Sequence, residues 1–484
     1  MSIGGTLASA LSGLTASAKA AELVSSNIAN ATTPGYARRE LVVGSRTVGT
    51  AGQGVQIVGI KRSVNLPLLG DRRLAQATAG DADSRAAFFK RLELTLGTPD
   101  QRFSISGRVA ALEAALTEAT SHPESEPRLA SVLGSAKALA TQIGLASRDV
   151  QAARTAASTE IANQVNQLNQ SLERVVTLNV QIRRGSGLGQ DTAALQDQRQ
   201  QLVDQISAIV PVREIQQNDG SISLYTSSGA VLVDGRPAVF AFAASSTITP
   251  YMTNGSGLSG LTLNGNPVTT AGDRSTIRGG SLAAQFAVRD ELALTAQSQL
   301  DAVARDLVER FSDSGLDATR ASGDPGLFTD AGSAFDGSNE VGLSQRLRIN
   351  AAADPGQGGA LWRLRDGLGA TTPGPVGDST LLTALRSTLT GLREPVSGGF
   401  MSGERSFSTF AGDLLSSVAT LRLSADGEAA YAKTRLETFV SMEAENGVDT
   451  DQEMQALLQI ERAYAANAKV ISTVQDMIQT LLDI

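Results

Sequence analysis

The chain has 484 residues, more than a single hydrophobic core accommodates and enough for about three domains of ordinary size. It is 41% hydrophobic and 19% charged, the balance of a globular chain, and its formal charge of −8 with no basic run longer than two residues argues against nucleic-acid binding. With no cysteine and one histidine, His122, the chain excludes disulfides, cysteine nucleophiles and multi-histidine metal sites, so no cofactor is expected.

The two ends carry the most regular pattern. Ile3, Leu7, Ala10, Leu14, Ser17, Ala21, Val24 and Ile28 recur at alternating spacings of four and three. That is a heptad seam, which predicts a helix seeking a partner helix. Leu457, Ile460, Tyr464, Asn467, Ile471, Val474, Ile478 and Leu481 form a second seam at the C-terminal end, broken only by Asn467. A polar residue there either sets register or sits tolerated at the seam's edge. Residues 1–60 carry four basic and two acidic side chains, and residues 441–484 carry two basic and eight acidic, so opposite signs favour pairing the ends. Small residues give the first seam little apolar area. Ordering each end costs about 1 kcal/mol or more per residue. The ends are therefore expected to be loose in a monomer and to order on assembly, the alternative being a plain intramolecular helix pair.

Pro34 and Gly35 stop the first helix. Strand character follows over 40–43 and 49–59. Residues 68–96 and 107–120 read as helices. From Arg128 to Arg184 no proline intervenes, which predicts one or two long helices spanning on the order of 80 Å. Gly185 to Gly189 ends them, and Asp191 can cap a helix running to Pro211. Asp219-Gly220, Asp234-Gly235, Asn254-Gly255 and Asn264-Gly265 then mark tight turns in a module of short strands. Ser281 opens a helix through Phe311, residues 321–380 read as loops and short strands, and helices return at 381–393 and 404–440. The fold class is mainly α with a β-rich central module: a nested multidomain chain with terminal coiled-coil helices, a long-helix bundle and an outer β domain. The expected division is 1–60 with 441–484, 61–210 with 281–320 and 381–440, and 211–280 with 321–380.

Motifs for chemistry are sparse. His122 lacks a local nucleophile or orienting acid and reads as an exposed helix end. The glycines of 185–189 follow a helix and lack the Lys-Ser/Thr of a phosphate loop. Arg38-Arg39 and Arg72-Arg73 read as solvated faces. The first charged residue is Lys19, so no cleavable signal peptide is expected, and the longest uncharged run, 237–272, is too broken by Gly, Asn and Pro to span a membrane as a helix.

Ser26-Asn-Ile-Ala-Asn-Ala-Thr-Thr-Pro-Gly-Tyr-Ala-Arg38 resembles the N-terminal signature of bacterial flagellar axial proteins, the rod, hook and hook-associated proteins. Glu461-Arg-Ala-Tyr464-Ala-Ala-Asn467-Ala-Lys-Val-Ile471 resembles their C-terminal signature. The segments Leu195–Ser207 and Gly279–Asp290, with Tyr36 where the hook subunit usually has Phe, look like the hook-associated branch. Residues 236–278 and 331–400 carry no such likeness. The resemblance implies export through the flagellar secretion channel to the outside of the cell. It implies a structural adaptor, not an enzyme, joining hook to filament. The implied partners are copies of itself, the hook protein, the next hook-associated protein on the filament side and an export chaperone, with no nucleic acid and no membrane insertion. It also implies an inner tube of terminal helices. Asn27, Asn30, Pro34, Gly35 and Tyr36 would fix the turn after the first helix, and Tyr464 and Asn467 would pack the returning helix against it. The rivals are the hook subunit, a secreted hydrolase with its site in 211–280 or 321–400, and a surface adhesin using the β module.

Overall fold

The computed structural model describes residues 3–48, 51–272 and 275–483. Its helices are α1 (Ile3–Ala29), α2 (Leu66–Leu96), α3 (Ile105–Ser121), α4 (Glu126–Gly187), α5 (Ala193–Ile209), α6 (Gly280–Ala287), α7 (Ala293–Ser312), the single turns α8 (Leu343–Arg346) and α9 (Arg363–Asp366), α10 (Thr380–Thr390), α11 (Phe407–Glu445) and α12 (Thr450–Leu482). The strands are β1 (Arg38–Val48), β2 (Ala51–Ser63), β3 (Val212–Gln216), β4 (Ile222–Thr226), β5 (Val231–Asp234), β6 (Arg236–Pro237), β7 (Phe240–Ala241), β8 (Thr253–Asn254), β9 (Gly257–Leu258), β10 (Leu261–Leu263), β11 (Asn266–Val268), β12 (Phe328–Asp330) and β13 (Leu347–Ile349).

The proline-free stretch forms one helix rather than two. The 62 residues of α4 span about 93 Å at 1.5 Å per residue. By length and composition α4 could cross a membrane, but 56% of its most apolar window is buried in the protein. It passes through two cores. Leu129, Val132, Leu139, Ile143 and Val150 pack in one, with α2, α3, α7, α10 and α11. Ile161, Val165, Leu168, Leu172 and Val175 pack in the other, with α5, α6 and the central strands. There β3-β4-β5-β6 form a four-stranded antiparallel sheet and β11-β10-β7 a three-stranded one. The Asn-Gly signal at 264–265 closes the β10–β11 hairpin with φ of 51° and 81°, the two left-handed residues such a turn requires.

Residues 321–380 do not share the core of 211–280. Leu327, Phe328, Leu343, Leu347 and Leu364 are buried in the helical core instead. A Gly/Pro-rich texture signals irregular backbone, but it does not reveal which core receives the few large apolar side chains within it. The helix from Ser281 is also not continuous. A π-helical turn at Val288–Leu292 separates α6 from α7. It turns Arg289, fully buried, between the rings of Phe242 and Phe286, 5.2 and 5.0 Å from their centroids.

N-terminal elements meet C-terminal ones. Arg422 pairs with Glu93 at 2.8 Å, and Arg72 with Glu443, so α11 runs antiparallel to α2. Their contact uses small residues, Ala79 and Ala82 against Ala432. Beyond this pair, α1 and α12 associate, and β1 and β2 form a long antiparallel hairpin against α1.

Candidate assembly interface

The terminal helices pair antiparallel. Asn27 of α1 meets Glu453 of α12 at one end, and Gly13 meets Asn467 further along. Both helices are formed and joined within one chain, so the seams do find an intramolecular partner. The reason lies in a polar knot that the seam arithmetic does not include. Asn27 is fully buried: its Nδ2 donates to Glu453 Oε2 and to the Arg39 carbonyl, both at 2.9 Å. Its Oδ1 accepts from the Tyr36 hydroxyl at 2.8 Å and the Arg39 amide at 3.0 Å. Glu453, also fully buried, accepts from Arg38 Nε at 2.6 Å. Burial alone would lower the Arg38 guanidinium, but the hydrogen bond and charge of Glu453 outweigh it and raise the pKa.

The turn after α1 is tied onward to α5. Asn30 Nδ2 closes back on the Ser26 carbonyl at 2.9 Å. Gln201 Nε2 donates to the Pro34 carbonyl at 2.7 Å, and Gly35, at φ +77°, lies so close that a Cβ would stand 2.7 Å from Gln201 Cγ. Only glycine takes that conformation at that approach without strain. Arg39 and Arg62 both pair with Asp197, at 2.9 and 2.6 Å, and Arg39 stacks on Tyr36 at 4.8 Å. Arg38-Arg39 are therefore not solvated, nor is Arg72-Arg73: Arg73 is buried, pairing with Asp204 at 2.6 Å and Glu214 at 2.7 Å. Local sequence could not give these partners, because they lie more than a hundred residues away.

The expected interface residues fall into groups. Val24, Asn27 and Val474 are buried. Leu7, Leu14, Ile28, Asn30, Gly35, Tyr36, Leu457, Ile460, Asn467 and Ile471 are half-buried. Ile3, Pro34, Tyr464, Ile478 and Leu481 are exposed. Helix α1 also carries a second stripe that the seam omits. Ser9, Ser12, Ala16, Leu23 and Asn27 face the β1–β2 hairpin side, where Ser12 Oγ accepts from the Val55 amide at 3.1 Å beside Gly54. Helix α12 has no such cover. Of its described residues only Glu453 and Val474 are buried, while Met477 is 53% and Leu481 62% exposed.

Elsewhere, His122 ends α3 in solvent, 3.1 Å from Glu124, as expected. The buried acids of 321–380 are neutralised locally: Asp330 by Arg346 at 2.6 Å and Asp354 by Lys137 at 2.7 Å. Among the described residues no group of acids and histidine is arranged to hold a metal ion.

Three family models match. Residues 7–36 match the flagella basal body rod protein model, residues 442–484 the C-terminal model of flagellar basal body rod FlgEFG proteins, and residues 89–328 the helical domain of flagellar hook-associated protein FlgK. All three models describe bacterial flagellar axial proteins, to which the chain is similar over the matched residues. Within them it is similar to flagellar hook-associated protein 1 of Salmonella typhimurium, with 28% identity over 251 residues, 50% of this chain and 45% of that protein. The counterparts of Escherichia coli and Bacillus subtilis match at 26% over 251 residues and 25% over 236, covering 50% and 46% of this chain and 46% of each of theirs. The matched region thus spans about half the length of these relatives. A solved structure of the flagellar hook junction protein FlgK from Burkholderia pseudomallei aligns with a TM-score of 0.44 at 22% identity, covering 54% of this chain and 46% of that one.

Proposed function

We propose that the chain is a structural adaptor between the flagellar hook and filament, and that it assembles by packing α12 and the uncovered side of α1 against the same helices of neighbouring copies. The observation that carries this reading is the poor burial of α12. Met454, Leu458, Tyr464, Val470, Met477, Ile478, Leu481 and Leu482 remain exposed along one 33-residue helix. Burying a large apolar side chain fully yields about 1.5–3 kcal/mol. A helix with this much uncovered area gains most of its attainable stabilisation only against other subunits. The helical-domain match over 89–328 favours the junction over the hook subunit. Under this reading the chain is exported to the outside of the cell by the flagellar secretion apparatus, with a chaperone covering α12 before assembly. Its neighbours there are the hook protein and the filament-side hook-associated protein.

Two measurements test it. The labelled chain should appear as one spot per flagellum between hook and filament. Leu14→Asp and Ile471→Asp should leave α4 folded by circular dichroism yet abolish incorporation, and normal motility in either strain defeats the proposal.

A further inference from the structure

Where the end of β2, the start of α2, α5 and β3 converge, a cavity of about 280 Å³ is lined by three cations, Lys61, Arg62 and Arg199, and one acid, Glu214. Arg199 is 6% exposed. Its Nη1 donates to Asn179 Oδ1 and to the Gly220 carbonyl, both at 2.8 Å. Among the described residues nothing bonds its Nε or Nη2, and no carboxylate pairs with it. Burial pushes its pKa down to about 10, with the charge of Glu214 opposing and those of Arg62 and Arg73 reinforcing. The other charges are committed differently. Arg62 is paired with Asp197, and Glu214 Oε2 accepts from Arg73 at 2.7 Å. The Lys61 side chain has no hydrogen bond or salt bridge among the described residues and is exposed at the rim.

A buried guanidinium with an open edge is costly unless a counter-charge completes it. The planar Nε/Nη2 edge suits a carboxylate held by two parallel hydrogen bonds. Lys61 adds a point charge, and the rest of the lining mixes the aliphatic Val64, Leu66, Leu69 and Ile222 with the amides of Gln196, Gln200 and Gln216. We propose that this cavity binds a carboxylate carried on a short aliphatic stem. The aliphatic side chains among the lining can cover such a stem, which inorganic phosphate lacks. Two sources supply the same chemistry: a free organic acid, or a glutamate or aspartate side chain of an adjacent subunit. The cavity shares Leu66, Leu69, Glu214 and Gln216 with a groove of about 750 Å³ along β3. β3 is an edge strand of its sheet, and Leu74 and Ile215 in the groove are 46% and 50% exposed. A neighbouring chain laid in the groove would carry its acid into the cavity, so the adjacent subunit is the favoured source.

The binding test uses the full-length monomer and does not depend on the hook–filament reading. N-acetylglutamate amide, N-acetylglutamine amide and inorganic phosphate are titrated by calorimetry at constant ionic strength. The expected result is saturable binding of the glutamate probe, about tenfold or more weaker for the glutamine probe, for phosphate, and for the variants Lys61→Gln and Arg199→Lys. Lys61→Gln touches no internal partner, so its circular dichroism and melting should match the parent. A linear response to the glutamate probe up to about 100 mM, or equal binding of the glutamate and glutamine probes, overturns the proposal. So does phosphate binding as tight as glutamate, or unchanged glutamate binding by Lys61→Gln. A second arm separates the sources. Reduced incorporation of the Lys61→Gln chain into flagella assigns the carboxylate to a neighbouring subunit, and unchanged incorporation assigns it to a free acid.

Discussion

Replacing Asn27 by alanine should detach the C-terminal helix while leaving the body of the protein intact. Asn27 is fully buried and makes four hydrogen bonds. Truncation leaves the Arg39 amide, the Arg39 carbonyl and one oxygen of the fully buried Glu453 without that partner. Tyr36 keeps a fallback, since its hydroxyl lies 3.3 Å from Ser26 Oγ. An orphaned buried polar group costs about 1–3 kcal/mol. Only the Glu453 bond crosses to α12, so about 2 kcal/mol, or about 30-fold, falls on the equilibrium between docked and undocked α12, and the loss of the Arg39 and Tyr36 bonds loosens the turn after α1 instead. Hydrogen exchange on the full chain reads this directly. Amides of 450–470 should exchange about 30-fold faster and those of 20–40 at least as much, while those of 129–182 within α4 keep their protection. Unchanged exchange over 450–470 refutes the reasoning, because the knot would then not hold α12 in place. Asn27→Asp sharpens the test. It sets a second carboxylate at the position now 2.9 Å from Glu453 Oε2. Two acids this close cannot both ionise, so one folded-state pKa rises above its ordinary value. The raised group binds its proton more tightly in the folded state. The defect should therefore be largest at neutral pH and shrink as pH falls through the carboxylate range.

The remaining predictions concern other layers. A Cβ on Gly13 would stand 2.8 Å from Asn467 Nδ2, so Gly13→Ala and Asn467→Ala should couple in a double-mutant cycle by about 0.5–3 kcal/mol, read by urea melting of α12 exchange protection; additivity refutes the contact. Burial raises the pKa of Glu113, whose Oε1 has no hydrogen-bond partner, so Glu113→Gln should raise Tm at pH 7 and lose that advantage as pH falls through the glutamate range. Arg154 is fully buried and donates to the carbonyls of Arg289, Thr249 and Met252; Arg154→Met should cost about 3 kcal/mol or more and expose 249–258 to proteolysis before α7.

Periodic features were legible because they are local. The heptad spacing gave α1 and α12, the absence of proline gave α4, and the paired turn signals gave the hairpins around 219, 234 and 264. Residues 38–39 and 72–73 were misread as solvated for the opposite reason. A pair of arginines looks the same in sequence whether water or a distant carboxylate faces it, and Asp197, Asp204 and Glu453 are distant. Glu453 stands in an acidic opening turn whose side chains also suit a helix N-terminus, so nothing marks it as the one that folds inward. The π turn at 288–292 was invisible because the apolar spacing from Leu282 to Phe311 runs through it without a break that helix periodicity registers.

The same limit bears on the terminal helices. A single seam on α1 leads to loose ends, because the area it buries is small against the cost of ordering the chain. The second stripe changes that balance. With Ala16 and Leu23 covered on the hairpin side and Asn27 joining turn, hairpin and α12, the helix is held from two directions before any neighbour arrives. Helix α12 has one such attachment near its start, and beyond it, among the described residues, only the Asn467 contact with Gly13 and the buried Val474. The two ends should therefore differ in the monomer, with protection decreasing along α12 from Glu453 toward Leu482 and holding in α1 from Ala16 to Asn27. Only the far part of α12 then remains to order on assembly. Equal protection along the whole of α12 in dilute monomer would mean that the intramolecular pair is already complete and leaves no surface waiting for a neighbour.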